Sequence, residues 1–410
     1  MWRADNPKNR FGYYSSGTFR TYSKFEAMDH AMAHGGSIKW HFNEDSFSQV
    51  PWTQEPSQSL ETLYRIRAQQ IRDRYDYVVL MYSGGIDSTN MVRVFFENNI
   101  LPDEICSVHE HQGTDDKHAF LTGEIFHSAL PYVNANVGSR HHTKLRIVDS
   151  ARAQYQAVES LTPDSITATM YHWNVAHNLG NLARFDVRRL VPEYKYIIDS
   201  GRSLCLVWAE CKPRIDYNST TGRHQVHFNE SGFDMICNAY HQDTADPTRH
   251  DELFYTTPDM PEIVAKQCHV LLDLMRNPVT FSDIMTNKSI ADQPIDSPHA
   301  PGFKIDNPLS SMIVTYRNRQ WWCMKPAVVN QTIYAGTDPV IYNQGKNVDR
   351  LIHPRDQWIR DKLPAHSRQF YTEFARFAKR YKPVLGNVDR NQRFGLVKTS
   401  NGYDLESVIP

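Results

Sequence analysis

Residues 75–88, Tyr-Asp-Tyr-Val-Val-Leu-Met-Tyr-Ser-Gly-Gly-Ile-Asp-Ser, decide the fold. The run from Tyr77 to Tyr82 is apolar throughout, the pattern of a strand buried on both faces of a parallel sheet. Gly84 and Gly85 break it, and Met91, Val92, Val94, Phe95 and Phe96 then give one broad apolar side to a helix. Strand, glycine turn and helix make a βα unit. Two more units are readable, a strand at 104–110 with a helix at 118–130 and a strand at 144–150 with a helix at 151–161. A further helix opens at Pro192 and stops before Gly201, and the apolar strand after it, 203–210, ends in the basic turn Cys211-Lys212-Pro213-Arg214. Strands alternating with helices at this spacing predict an α/β fold with an open parallel sheet and right-handed crossovers.

Outward from this core the pattern changes twice. Residues 1–57 are rich in Tyr, Phe, Trp, Gly and Ser and carry one short helical piece from Ser23 to His34. An amphipathic helix follows, with Leu60, Leu63, Tyr64, Ile66, Ala68 and Ile71 on its apolar side; Arg65, Arg67, Arg72 and Arg74 between them read as a solvated face. Beyond about residue 215 come loops and isolated helices. The clearest is at 261–276, with Asp259 as a cap and Pro261 in its first turn, and another lies at 367–382. The expected organisation is an N-terminal extension (1–74), an α/β domain (75–220) and a mainly helical C-terminal region (221–410) for substrate or interaction.

Composition bounds the function. With 410 residues, 40% hydrophobic and 22% charged, the chain is an ordinary folded protein, which excludes disorder and fibrous rods. Forty-five Lys and Arg against 46 Asp and Glu leave a net charge of -1, so no global field draws it to nucleic acid or acidic lipid. Six cysteines without a CxxC pair make neither a disulfide scaffold nor a short-spaced zinc site. The first ten residues are polar where a secretory signal needs an apolar core, and no stretch approaches the roughly 18 apolar residues of a membrane span. The expectation is a cytoplasmic, membrane-free protein with reduced thiols.

The chemistry concentrates in Ser83-Gly84-Gly85-Ile86-Asp87-Ser88. Two glycines let the backbone turn sharply and approach a ligand, while successive N–H groups and the helix N-terminus make an anion cradle. Ser83 and Ser88 add hydroxyl donors, and Asp87 is the candidate for a Mg²⁺ that shields phosphate charge. In outline this is a pyrophosphate site, yet neither GxxxxGK[ST] nor GxGxxG occurs in the chain.

SGGIDS resembles the SGGxDS loop of the PP-loop (N-type) ATP pyrophosphatases, among them asparagine synthetase, cyano-deazaguanine synthase and the tRNA thiolases. The resemblance implies the adenine nucleotide alpha hydrolase (HUP) fold and an ATP-dependent, AMP-forming ligase. Ser83, Gly84, Gly85, Asp87 and Ser88 would grip the β,γ-phosphates of ATP, with Tyr82 and the Val108-His109 stretch beside the adenine. Lys212 and Arg214 would neutralise transition-state charge. A carboxylate or carbonyl oxygen would be adenylated and passed to an amine or ammonia. A looser likeness, to bacteriophage proteins of asparagine-synthase-like type, would place Asp251, Glu252, Tyr255, Asp259 and Glu262 near the substrate and the protein in a host cytoplasm.

The chain departs from those relatives in informative ways. The glutaminase nucleophile of asparagine synthetase is an N-terminal cysteine, whereas residue 2 here is Trp and the first cysteine is Cys106. The amine would therefore come free, from a separate protein or as a second substrate. His109, Glu110, His111, Asp115 and Asp116 follow the second strand, on the edge where open sheets bind ligands, and are candidates for proton transfer or Mg²⁺. Modification of a nucleobase or nucleotide, in DNA, RNA or a precursor, is the alternative, with basic surface at 65–74 or 376–382. A non-catalytic ATP sensor or scaffold is a third.

Overall fold

The computed structural model describes residues 2, 4, 6–84, 86–109, 129–137, 142–149, 187–209, 213–218, 220–228, 230, 249–276, 322–323, 383–384, 399 and 401–407. At its centre lie five parallel strands: β4 (Tyr77–Met81), β5 (Glu104–His109), β6 (Lys144–Asp149), β7 (Leu204–Trp208) and β10 (Arg249–Leu253). Their spatial order is β10-β7-β4-β5-β6. Leu80 pairs with Ile105 on one side and Val207 on the other, and Val207 pairs with Glu252. Alternation along the strands then sorts the side chains onto two faces.

One face carries Val78, Leu80, Ile105, Cys205 and Val207. It packs under α3 (Leu60–Arg74), α4 (Ile86–Glu97) and α8 (Glu262–Arg276). The other carries Val79, Met81, Cys106, Leu204 and Leu206 against Val187 of α6 (Val187–Leu190), Val191, and Tyr194 of α7 (Pro192–Asp199). The sheet is buried on both faces, which is why its strands read as unbroken apolar runs; each buried Val, Leu or Phe contributes roughly 1.5–3 kcal/mol of transfer free energy. Ser59 caps α3 by accepting from the Thr62 N–H at 3.2 Å, and Pro192 opens α7 where a missing N–H costs nothing. A short helix, α5 (Leu130–Asn136), precedes β6 where the reading placed the end of a longer one; 118–128 and 151–161 lie outside the described residues.

The expected organisation needs two revisions. The sheet takes its fifth strand from β10, beyond the boundary set at 220, because Arg249–Leu253 pairs in parallel with β7. The described residues past 215 also hold antiparallel strands. β8 (Arg214–Asn218) and β9 (Arg223–His227) form a hairpin, flanked by β11 (Trp322–Cys323) and β12 (Tyr403–Asp404). Residues 367–382 lie outside the described set.

The aromatic lead-in is a small antiparallel sheet of β1 (Tyr13–Ser16), β2 (Phe19–Thr21) and β3 (Lys39–His41), with α1 (Lys24–His34) behind it, capped by Ser23. Gly12, at φ +91°, is required there: a Cβ would sit 2.6 Å from the Trp40 ring. This sheet does not stand apart. Phe42, Phe47 and Trp52 pack on Phe228 beyond β9, and one continuous apolar core runs from Phe11 to Leu405. No helix among the described residues is long and apolar enough to cross a membrane.

Candidate functional site

Strand order reverses at β4. The chain steps outward through β5 and β6, returns across β4 to lay down β7 on its other side, and adds β10 beyond that. The crevice at the carboxyl ends of β4 and β7 is thus the switch point where open α/β sheets bind ligands. The two segments the sequence singled out begin there: Tyr82 follows β4 and Ala209 follows β7.

The loop after β4 is braced from several sides. Gly84 has φ +86°, a conformation that favours glycine, and α4 starts two residues later with Asp87 in its first turn. The Ser83 and Ser88 hydroxyls lie 3.0 Å apart across the turn. Thr89 Oγ1 donates to the Gly84 carbonyl at 3.3 Å, and the Tyr82 hydroxyl sits 3.1 Å from Thr89 Oγ1. Ser107 Oγ, from β5, donates to the Tyr82 carbonyl at 2.6 Å, while the Tyr82 N–H donates to Cys106 O at 2.8 Å. Asp87, Ser88, Thr89 and Asn90 are all buried. A rigid turn with clustered hydroxyls at a helix N-terminus suits a polyanion.

The sequence-predicted residues distribute unevenly around this turn. Ser83, Gly84, Asp87 and Ser88 are brought together; Gly85 lies outside the described residues. Tyr82 is a buried wall with its hydroxyl, N–H and carbonyl engaged as above, so it offers a prop to the turn. Val108, at the carboxyl end of neighbouring β5, is 37% exposed and presents apolar surface there. The side chain of His109 and residues 110–116 are outside the described set, as is Lys212. Arg214 opens β8, five residues past Ala209 at the end of β7; its side chain is not among those described. Among the described residues no group of three or more His, Cys, Asp or Glu could hold a metal ion. One carboxylate beside two hydroxyls fits a Mg²⁺ carried in on phosphate oxygens better than a protein-made cage.

Among the described residues, Tyr255 of the acidic and aromatic set at 251–262 reaches the loop. Its hydroxyl donates to the Asp87 carbonyl at 2.7 Å and accepts from Asn90 Nδ2 at 2.8 Å. Asp251 accepts from Trp208 Nε1 and from Arg188 instead. Glu252 is buried on the α3 side, where it accepts from Arg67 at 2.6 Å, Arg10 at 2.7 Å, Arg74 at 3.0 Å and the Tyr75 hydroxyl at 2.6 Å. Asp259 was expected to cap α8; its carboxylate turns to Arg74 at 2.8 Å and Arg10 at 3.2 Å, and α8 begins at Glu262. Burial alone would raise both carboxyls, but the guanidiniums hold Glu252 and Asp259 below the usual carboxylate range.

These contacts overturn the solvated-face reading of α3 for three of its four arginines, while Arg65 is exposed as expected. Arg67 is fully buried, and Arg72 and Arg74 are spent on Asp103, Glu252 and Asp259. The cysteines of the sheet are inert for a related reason: burial pushes Cys106 up to about 12 and Cys205 well above a free thiol.

No family model, curated protein or solved structure matches the chain significantly.

Proposed function

We propose that the turn at 83–88 binds the phosphates of ATP and that the protein is an AMP-forming ligase of ATP pyrophosphatase type. The observation that carries this reading is position: the SGGIDS turn follows the central strand at the switch point, with Asp87 and Ser88 in the first turn of α4. In this proposal the α4 N-terminus and the Ser83 and Ser88 hydroxyls hold the β,γ-phosphates. Asp87 is the residue that would hold Mg²⁺, whose contribution is to offset phosphate charge. Val108 would supply an apolar surface for the adenine. Lys212 and Arg214, on the segment leaving β7, would stabilise the charge that builds as pyrophosphate departs from the α-phosphorus. The acceptor is a carboxylate or carbonyl oxygen, and an amine or ammonia then displaces AMP. The chain supplies geometry and electrostatics to that transfer.

The alternative, a nucleic-acid acceptor, loses Arg67, Arg72 and Arg74 from its α3 basic surface, since they are paired with carboxylates, and keeps Arg65. The test is incubation with α-labelled ATP and Mg²⁺, plus pooled amino acids, nucleosides and nucleic acid, with AMP resolved from ADP. The reading expects AMP and pyrophosphate, lost in Asp87→Ala. ADP, or bound ATP left uncleaved with every pool, would overturn the ligase reading in favour of a sensor or scaffold.

A further inference from the structure

Behind the turn stands an aromatic prop that the loop motif does not include. Tyr255 emerges from the end of β10 and is fully buried. Its ring meets Tyr64 of α3 edge-on at 5.4 Å and the neighbouring Phe254 at 4.9 Å, so α3 helps to set its position. Its hydroxyl lies between the first turn of α4 and Asn90: it accepts from Asn90 Nδ2 and donates to the Asp87 carbonyl. The Asp87 carbonyl belongs to the first turn of α4, part of the anion cradle proposed above. Asn90 is itself buried, and its Oδ1 has no hydrogen-bond partner. The amide therefore forgoes one bond while keeping its N–H₂ on Tyr255. With Asn90 donating to the Tyr255 oxygen, the Tyr255 proton is left to the Asp87 carbonyl, where an acceptor at Asn90 would compete for it.

We infer that Tyr255, oriented by Asn90, is a positioning residue for the phosphate cradle, acting through the Asp87 carbonyl without touching nucleotide. The inference rests on the proposed nucleotide reading of the turn. Its physical basis is preorganisation: N–H groups held in place before the anion arrives bind it without paying for their own ordering. A hydroxyl reaching from the edge strand does for the helix start what Ser107 does for Tyr82 on the opposite side of the turn.

The test measures MgATP binding by calorimetry and thermal unfolding for the full chain and three variants. Tyr255→Phe removes the hydroxyl. Asn90→Asp keeps the size of the side chain but turns its donor into an acceptor, drawing the Tyr255 proton away from Asp87. Tyr64→Phe is the control: it removes a buried hydroxyl from the same aromatic group, one that accepts from Gln267 of α8 at 2.8 Å. The expected result is binding weakened about tenfold in Tyr255→Phe and in Asn90→Asp, the worth of one net hydrogen bond, with Tyr64→Phe within about twofold of the parent at a similar loss of melting temperature. Binding that falls in all three in step with stability, or that stays unchanged in Tyr255→Phe and Asn90→Asp, would overturn the positioning role while leaving the nucleotide reading standing. Should Tyr255→Phe not fold, Asn90→Asp carries the comparison alone. A parent protein that binds no MgATP would bring down both.

Discussion

The segment 249–262 feeds two buried polar clusters, and they differ in kind. Through Tyr255 it braces the turn at 83–90, where the partners are hydroxyls, an amide and backbone carbonyls. Through Glu252 and Asp259 it meets Arg10, Arg67 and Arg74 in ion pairs, with the Tyr75 hydroxyl also donating to Glu252. The ionic cluster draws together the lead-in, α3 and the edge strand, and its charges answer one another. The neutral cluster holds a backbone turn still at the mouth of the switch-point crevice. Guanidiniums paired with carboxylates inside the protein serve the fold; a braced turn with clustered donors is available to a ligand. Substitutions can separate the two, because the first should move stability and the second binding.

The largest expected effect is that of Glu252→Ala. It takes the nearest carboxylate from the fully buried guanidinium of Arg67, leaving it the Leu253 carbonyl and the more distant Asp259, and breaking one partner of a buried pair costs about 3–5 kcal/mol. Urea unfolding checks it. A loss below about 1 kcal/mol would mean that the cluster behaves as a solvated one and would erase the contrast. MgATP affinity measured well below the unfolding midpoint should stay within about twofold of the parent.

Acid provides the second way to break the comparison. Glu252 and Asp259 are held below their ordinary values of 4.5 and 3.8, so the folded state binds protons less readily than the unfolded one. Their contribution to stability is fully present above those ordinary values and is lost as the pH falls through the lower folded ones. Unfolding midpoints followed from about pH 6 to pH 3 should drop. In Glu252→Gln the slope should be shallower, since one of the two linked protons is gone. Equal slopes in parent and variant would show that other carboxylates carry the acid sensitivity.

The central strands were legible because β4 and β7 are covered on both faces and therefore apolar at every position. The edge strand β10 was not: Arg249-His250-Asp251-Glu252-Leu253 is polar in four of five positions, and its two carboxylates are buried only because Arg188 and the α3 side answer them. Arg67 left a signal that went unread. It falls with Leu60, Leu63, Tyr64, Ala68 and Ile71 on the buried stripe of α3, and a long charged residue at that spacing points to a partner across the core. The turn at 83–88 was legible as a local motif, since glycines, hydroxyls and a helix start are adjacent in the chain. Tyr255 lies 168 residues from Asp87, and no periodicity or spacing reports a contact made only by sheet order.

Gly84→Ala tests the turn from the side of the backbone. At φ +86° a Cβ costs about 1–2 kcal/mol, a smaller loss of stability than at Glu252. Because the strain falls on the cradle itself, MgATP binding should suffer more than in any variant of the ionic cluster. Unchanged affinity would place the ligand, if there is one, elsewhere on the sheet edge.

Ser83→Ala is expected to cost least in stability and so draws the contrast most sharply. Ser83 is exposed, and its hydroxyl faces that of Ser88 at 3.0 Å. Removing the Ser83 hydroxyl takes one neutral hydrogen bond from the buried Ser88, and the melting temperature should correspond to a loss of about 1 kcal/mol or less. If those hydroxyls are there to receive phosphate oxygens, MgATP affinity should fall about tenfold against that nearly silent background. Glu252→Ala and Ser83→Ala would then sit at opposite corners of a plot of stability against affinity. Should Ser83→Ala be silent on both axes, the hydroxyl pair would be a turn ornament, and the cradle would consist of the backbone N–H groups of α4 alone.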